Sequence, residues 1–139
     1  MGRALAIDYG TVRCGVAETD PMKIIASGLT VLPPAKLLPF LEDYCKRETV
    51  DVIVIGESRN ERGDYNRIEA DIKTFMEKLK KKLPDIEIAR EDERYTSVMA
   101  QQSMLFGGAK KKQRQKKENL DLISATIILQ QYLERKSTH

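Results

Sequence analysis

Two near-continuous apolar segments place the strongest limit on how this chain can fold. They are Arg3–Tyr9 (RALAIDY) and Val50–Gly56 (VDVIVIG), and a glycine follows or ends each of them. Segments that are apolar at nearly every position are typical of strands buried on both faces of a sheet. The chain has 139 residues, which fits a single domain over residues 1–139. We therefore predict one α/β domain with helices flanking its sheet.

The remaining segments predict a mixed five-stranded sheet. The first three strands follow one another closely, so we expect an antiparallel meander, and later strands alternate with helices, as parallel strands do. The apolar patterns predict strands at Arg3–Tyr9, Arg13–Thr19, Ile24–Leu32, Val50–Gly56 and Ile86–Arg90. They also predict helices around Leu37–Cys45, over Ile68–Leu83, from Thr96 or Ser97 to Phe106, and from about Glu118 to Lys136.

The histidine content narrows the possible chemistry. The only histidine is His139, the last residue. A Ser-His-Asp triad, a Cys-His pair, a histidine-ligated zinc and a histidine general base are therefore nearly excluded. Any hydrolysis must depend on carboxylates, and most simply on a metal ion that prefers oxygen ligands.

Cysteine content and hydropathy indicate the compartment. Cys14 and Cys45 are too few and too far apart for a zinc motif or a disulfide framework, so both are expected to be reduced core side chains. No signal pattern precedes Arg3, and no apolar segment approaches the roughly 18 residues that a membrane span needs. We expect a cytoplasmic protein without membrane contact.

Three carboxylates occupy positions where an α/β fold places its ligands. Asp8 ends the first strand, Glu93 follows the fifth, and Asp121 lies near the start of the last helix. Converging carboxylates repel one another unless a cation lies between them, and all-oxygen sites suit Mg²⁺ or Mn²⁺. Such sites support phosphodiester cleavage without histidine. The alternatives are a turn from Asp8 into Gly10, a solvated loop at Glu93 and a helix-dipole partner at Asp121.

Three ordered motifs resemble one known family. The segment Asp8–Ala17 resembles D-x-G-x-x-R-x-G-x-A, Asp92–Ser97 resembles D-E-R-[YFL]-[ST]-S, and Lys117–Leu129 resembles K-x-x-x-D-x-x-[SA]-A-x-x-[IL]-L. Together they span nearly the whole chain. They are similar to the YqgF family, also called RuvX, whose members are described as Holliday junction resolvases or as nucleases that process the 5′ end of pre-16S rRNA.

The resemblance implies a ribonuclease H-like fold and a hydrolase activity. It implies that Asp8, Glu93 and Asp121 form the catalytic, metal-binding set. It also implies that four further residues shape the site, through phosphate contacts by the arginines and capping by the hydroxyls: Arg13, Arg94, Thr96 and Ser97. For Arg13, the alternative is an ordinary strand-edge arginine.

The chain departs from the family after the fourth strand. The family usually has G-x-P there, whereas this chain has Gly56, Glu57 and Ser58. Without the proline we expect a more mobile loop over Glu57–Asp64, with altered substrate contacts. Glu57 also places a carboxylate where related resolvases carry an acidic residue, and it is therefore a further candidate metal ligand.

The distribution of charge predicts a polyanionic partner. Residues 1–70 hold 9 Lys and Arg against 11 Asp and Glu, and residues 71–139 hold 15 against 10. Six of eight residues in one run are basic: Lys110, Lys111, Lys112, Arg114, Lys116 and Lys117. This run is expected to contact phosphates with a strong salt dependence, and the alternative is a solvated loop. No aromatic residue interrupts the run, so it favours backbone over base recognition.

Three classes of function remain open. The first is a Mg²⁺- or Mn²⁺-dependent nuclease on structured nucleic acid. Pre-16S rRNA is favoured over branched DNA, because a symmetric junction would most simply be cut by a dimer and no coiled-coil or zipper pattern favours one. A monomer or a weak homodimer is expected. The second is an ATP-binding module, since Asp8–Thr11 resembles the first phosphate loop of actin-like and sugar-kinase ATPases, but 139 residues leave no room for their second domain. The third is a non-catalytic nucleic-acid adaptor that uses the basic run alone.

Overall fold

The computed structural model describes residues 2–58, 66–92 and 117–137, with only the backbone for 117–119 and 137. The helix predicted from Thr96 or Ser97 to Phe106 lies outside these residues. The strands are β1 (Arg3–Asp8), β2 (Cys14–Thr19), β3 (Ala26–Leu32), β4 (Val50–Glu57) and β5 (Glu87–Asp92). The helices are α1 (Pro34–Arg47), α2 (Glu69–Lys82) and α3 (Lys117–Ser137).

The strands form the predicted mixed sheet. Its order is β3-β2-β1-β4-β5. β1 and β2 are antiparallel, as are β2 and β3, whereas β1, β4 and β5 run parallel to one another. The carboxyl ends of β1, β4 and β5 therefore meet at one edge, where α/β sheets bind their ligands.

Both faces of the central strands are buried, as their composition predicts. Alternate residues of β1 and β4, such as Leu5 and Ile55, pack against α1 and α2 in one core cluster. The others, such as Ala6 and Val54, pack in a second cluster with Ile128 of α3. The small alanines on this second face let α3 lie close to the sheet.

The helices are continuous within their bounds. Pro34 is the first residue of α1, where proline is tolerated because the N–H of that position has no partner within the helix. Pro39 lies inside α1, so one backbone hydrogen bond is missing while the helix continues to Arg47. No helix among the described residues is long and apolar enough to cross a membrane.

Two strand boundaries differ from the prediction by two residues, and the other differences are of one residue. β3 begins at Ala26 instead of Ile24, because the Asp20 carboxylate accepts hydrogen bonds from the N–H groups of Ile24 and Ile25, both at 2.8 Å. Those bonds form a turn that keeps both residues out of the strand. β5 continues beyond Arg90 to Asp92, which pairs in register with Glu57. The acidic segment after Arg90 is therefore partly strand.

Candidate active site

Asp8 lies at the carboxyl end of β1 on the face covered by α3. It continues the alternation of Ala4 and Ala6, which pack in the cluster with α3. In the antiparallel register with β2, Asp8 lies opposite Gly15. Opposite residues of such a pair point to the same face, with their Cβ positions about 4.5–5.5 Å apart. The Asp8 carboxylate is half-buried there.

Gly15 allows α3 to reach this point. A Cβ on Gly15 would collide with the backbone carbonyl oxygen of Asp121 and would come within 3.4 Å of the Asp121 Cβ. A Cβ on Gly28 of β3 would likewise collide with the side chain of Leu122. The missing side chains thus seat the first turns of α3 directly on β2 and β3. Asp121 is thereby brought beside Asp8, although the two lie in opposite halves of the sequence.

Arg13 forms an ion pair with Asp121. Its Nε donates a hydrogen bond of 2.9 Å to Oδ2 of Asp121, and the two side chains are 30% and 27% exposed. A cation therefore already lies beside one of the two carboxylates. The family resemblance implied a phosphate contact by Arg13, but the sequence did not indicate this pair, since no local spacing connects the two residues.

Cys14 lies near both Asp8 and Asp121, but it packs on the opposite face of the sheet, in the core cluster with α1 and α2. Burial, together with the nearby charges of Asp8 and Asp121, raises the pKa of its thiol to about 11, against a hydrogen bond to the Gly10 carbonyl that lowers it. The thiol is thus protonated at neutral pH and packs in the core as predicted.

Glu57 lies at the carboxyl end of β4, on the face of the sheet opposite to that of Asp8. It continues the alternation of Ile53 and Ile55, which pack against α1 and α2, whereas Asp8 faces α3. Its partner in register is Asp92, the last residue of β5. The assignment of Glu57 as a metal ligand stays a prediction.

A buried ionic network holds the end of β4. Glu69, at the start of α2, is 3% exposed and accepts hydrogen bonds from Arg90 at 2.9 Å and from the Ser58 N–H at 2.8 Å. Arg90 also donates to the carbonyl oxygens of Ile55 and Gly56, at 3.1 and 2.9 Å. A proline at position 58 could not donate to Glu69, so the departure from the family pattern supplies a hydrogen bond here. Sequence reasoning missed this network; a charged residue inside an expected strand, Arg90, was its only signal.

The other predicted site residues cannot be placed. Those outside the described residues are Glu93, Arg94, Thr96, Ser97, Lys110, Lys111, Lys112, Arg114 and Lys116, and only the backbone of Lys117 is described. Within the described ranges, no three His, Cys, Asp or Glu side chains are grouped as a metal site. Two members of the predicted acidic set, Asp8 and Asp121, are thus placed together, and Glu93 directly follows the last described residue of β5.

The sheet order and the position of α3 define a ribonuclease H-like fold. The chain is similar to RuvC of T. thermophilus, solved in complex with a Holliday junction substrate, with a TM-score of 0.59, 12% identity and coverage of 99% of this chain and 98% of that one. A second structure of Thermus thermophilus RuvC gives a TM-score of 0.54 at 13% identity. The fold predicted from the sequence is confirmed.

The chain belongs to the RuvX family. The family model, described as Holliday junction resolvase, matches residues 2–135. A relative from Phocaeicola vulgatus, named "Putative pre-16S rRNA nuclease", is 50% identical over 136 residues, covering 98% of each chain. One of the same name from Christiangramia forsetii is 50% identical over 133 residues, covering 96% of this chain and 98% of the relative.

Proposed function

We propose that this protein is a metal-dependent nuclease that cleaves phosphodiester bonds in structured RNA and processes the 5′ end of pre-16S rRNA. The observation that carries the proposal is the position of Asp8 and Asp121 on one face of the sheet: Asp8 lies opposite Gly15, and Gly15 lies directly against the backbone of Asp121. Membership of the RuvX family and the shared name of the half-identical relatives support it.

The donor set suits a hard divalent cation. Asp8 and Asp121 offer carboxylate oxygens on the face of the sheet that α3 covers. Asp8, Asp121 and Glu93 would hold Mg²⁺ or Mn²⁺, with Glu57 as a further candidate. When bound, such an ion supplies an activated water and charge stabilisation at the leaving oxygen.

The chain's own residues would orient the phosphate. Arg13 lies in the turn after β1 and its side chain reaches Asp121 at the start of α3. Its guanidinium can therefore contact a phosphate oxygen that approaches Asp121. Arg94, Thr96 and Ser97 are proposed to complete this contact. The basic run at Lys110–Lys117 ends at the first residue of α3, and we propose that it binds the backbone of the same nucleic-acid strand.

The relatives' name favours RNA over branched DNA, and an RNA substrate would place the protein in the cytoplasm. The family description names a Holliday junction resolvase, so a four-way junction is the second substrate to test. A junction has two-fold symmetry and would most simply be cut by a dimer, whereas a monomer or weak homodimer suffices for processing one RNA end.

A cleavage assay tests the proposal. Purified protein is given a pre-16S 5′ fragment or a four-way DNA junction, with Mg²⁺, with Mn²⁺ or with EDTA. We expect metal-dependent cleavage of the RNA that is lost in Asp8→Asn and retained in Asp43→Asn, a carboxylate exposed on α1.

Three results would contradict the proposal in different ways. Cleavage of the junction alone would show that branched DNA, and not RNA, is the substrate. Cleavage that survives in Asp8→Asn and Asp121→Asn would show that these carboxylates do not form the metal site. Binding without cleavage, abolished by charge reversal at Lys110–Lys112, would indicate an adaptor.

A further inference from the structure

A cavity of about 430 Å³ opens between α1 and α2, on the sheet face opposite α3. Tyr9 and Phe75 both line it, with their ring centroids 5.4 Å apart. One wall is apolar and comes from α1, where Ala35 and Leu38 line it. The other wall comes from α2 and carries polar side chains beside Phe75. The cavity therefore combines aromatic and aliphatic surface with hydrogen-bonding groups.

The polar wall follows one face of α2. Asp71, Thr74 and Lys78 line it, and their spacing of three and four residues places them in one row along the helix. The Thr74 hydroxyl donates to the Ala70 carbonyl at 3.1 Å, so its oxygen can still accept. An ionised Asp71 is acceptor-only, and Lys78 is donor-only. From one end to the other, the row offers an acceptor, a hydroxyl and a cation.

The cavity and the proposed site involve consecutive residues, because Tyr9 lines the cavity and Asp8 belongs to the site. Asp8 points towards α3, and the next residue, Tyr9, packs on the opposite face beside the cluster of α1 and α2. The carboxyl end of β1 therefore separates the carboxylate pair from the cavity. A nucleic-acid strand bound at Asp8 would have to pass over the carboxyl end of β1 to reach this cavity.

The chemistry of the lining selects a nucleobase. Flat bases stack on aromatic and apolar surfaces and are recognised along their Watson–Crick edges when they are single-stranded. Asp71 repels phosphate but accepts N–H donors, and guanine presents two adjacent donors, N1–H and the 2-amino group. Lys78 lies two turns further along α2, where it can contact the phosphate of the same nucleotide.

We propose that this cavity binds an unpaired guanine nucleotide, with the base against Tyr9 and the α1 wall and its N–H edge on Asp71. As a substrate contact it rests on the proposed nuclease function, because it would hold a nucleotide that neighbours the cleaved bond. Guanine recognition itself requires only the residues of the cavity.

Binding of nucleoside monophosphates to metal-free protein tests the inference. We expect GMP to bind more tightly than AMP, CMP or UMP in calorimetry, and to shift the NMR signals of Thr74 and Lys78. Asp71→Asn should weaken GMP binding about five- to tenfold, because a carboxylate that accepts two N–H groups contributes discrimination of this order.

The matched control is Glu77→Gln, an exposed carboxylate on the same helix outside the cavity. Both variants remove one negative charge, so non-specific attraction for a phosphate predicts slightly tighter binding in both. The proposal predicts weaker binding in Asp71→Asn alone. Equal or tighter GMP binding in Asp71→Asn, or no preference for GMP over UMP, would overturn it.

A blocking variant separates the cavity from other binding surfaces. Ala35→Phe adds a ring to the exposed rim of the α1 wall and should abolish the GMP preference while leaving the thermal unfolding midpoint within a few degrees. A GMP preference that survives this substitution would locate the base elsewhere. Since the protein is metal-free throughout, GMP binding does not depend on the cleavage reaction. A failure of the guanine proposal can therefore be distinguished from a failure of the nuclease proposal.

Discussion

Arg13 and Asp121 are joined by a 2.9 Å hydrogen bond that connects the turn after β1 to the start of α3. Both side chains are partly exposed, so the pair contributes little to folding, about 1 kcal/mol at most. Its consequence is electrostatic. An arginine and a divalent cation would compete for the same carboxylate, and this competition can be measured.

Removing Arg13 should strengthen metal binding. In Arg13→Ala the carboxylates lose a neighbouring positive charge, which is worth about 1 kcal/mol at 4 Å in water-like surroundings. We expect Mn²⁺ to bind about fivefold more tightly in calorimetric titrations without nucleic acid. The control is Arg47→Ala, which breaks an exposed pair with Asp43 on α1. Weaker Mn²⁺ binding in Arg13→Ala would show that the arginine instead orients Asp121 for the metal.

Gly15→Ala should displace α3. The added methyl group would meet the backbone of Asp121, which cannot move without shifting the helix. Overpacking of this kind costs about 1–3 kcal/mol, measured by urea unfolding, and should also reduce Mn²⁺ binding. Gly28→Ala is the control, because its methyl group would meet the end of the flexible Leu122 side chain. An equal loss in both variants would contradict the close helix contact as the cause.

The Glu69–Arg90 pair should be strongly coupled. In Glu69→Ala the Arg90 guanidinium loses its carboxylate, and in Arg90→Ala the buried Glu69 carboxylate loses its guanidinium. Each substitution should therefore lower the free energy of unfolding by about 2–4 kcal/mol. The double variant should lose much less than the sum. The exposed pair of Arg47 and Asp43 should show coupling below about 0.5 kcal/mol. Additive losses at Glu69 and Arg90 would disprove the coupling.

The free energy of unfolding should fall at alkaline pH because the Cys14 thiol has a raised pKa in the folded protein. Burial raises the pKa of its thiol from 9.0 to about 11 in the folded protein. Between these values the unfolded chain loses its proton first, so the contribution is complete below pH 9 and is lost as pH rises to about 11. Urea unfolding at pH 8 to 11 in EDTA should show this decline, and Cys14→Val should show a smaller one. An unchanged slope in Cys14→Val would contradict the assignment.

The same burial should govern thiol reactivity. Cys14 is fully buried and Cys45 is partly exposed, and the thiolate is the reactive form. At pH 8 a thiol reagent should therefore modify Cys45 first and Cys14 only after unfolding. The single variant Cys45→Ser tests this, since the folded protein should then react very slowly. Rapid labelling of Cys45→Ser would show that Cys14 is accessible.

Much of the sheet could be predicted from the sequence because strands that are buried on both faces consist mainly of apolar residues. β1 and β4 are apolar at nearly every position, and both lie in the middle of the sheet with a core on each face. The ends were harder to predict. The start of β3 depends on the Asp20 carboxylate, and the length of β5 depends on pairing with β4, and neither is expressed in local hydropathy.

The sequence by itself determined the fold class, the chemistry left open by one histidine, and the candidacy of Asp8 and Asp121, because these follow from composition and local motif. Only the tertiary structure decided that Asp8 and Asp121 lie on one face of the sheet beside Gly15. It also decided that Arg13 pairs with Asp121, and that Arg90 and Glu69 form an ion pair at the end of β4. Those relations depend on distances between segments remote in the chain. Here the distances are set by how closely α3 packs on Gly15 and by which face each strand residue occupies.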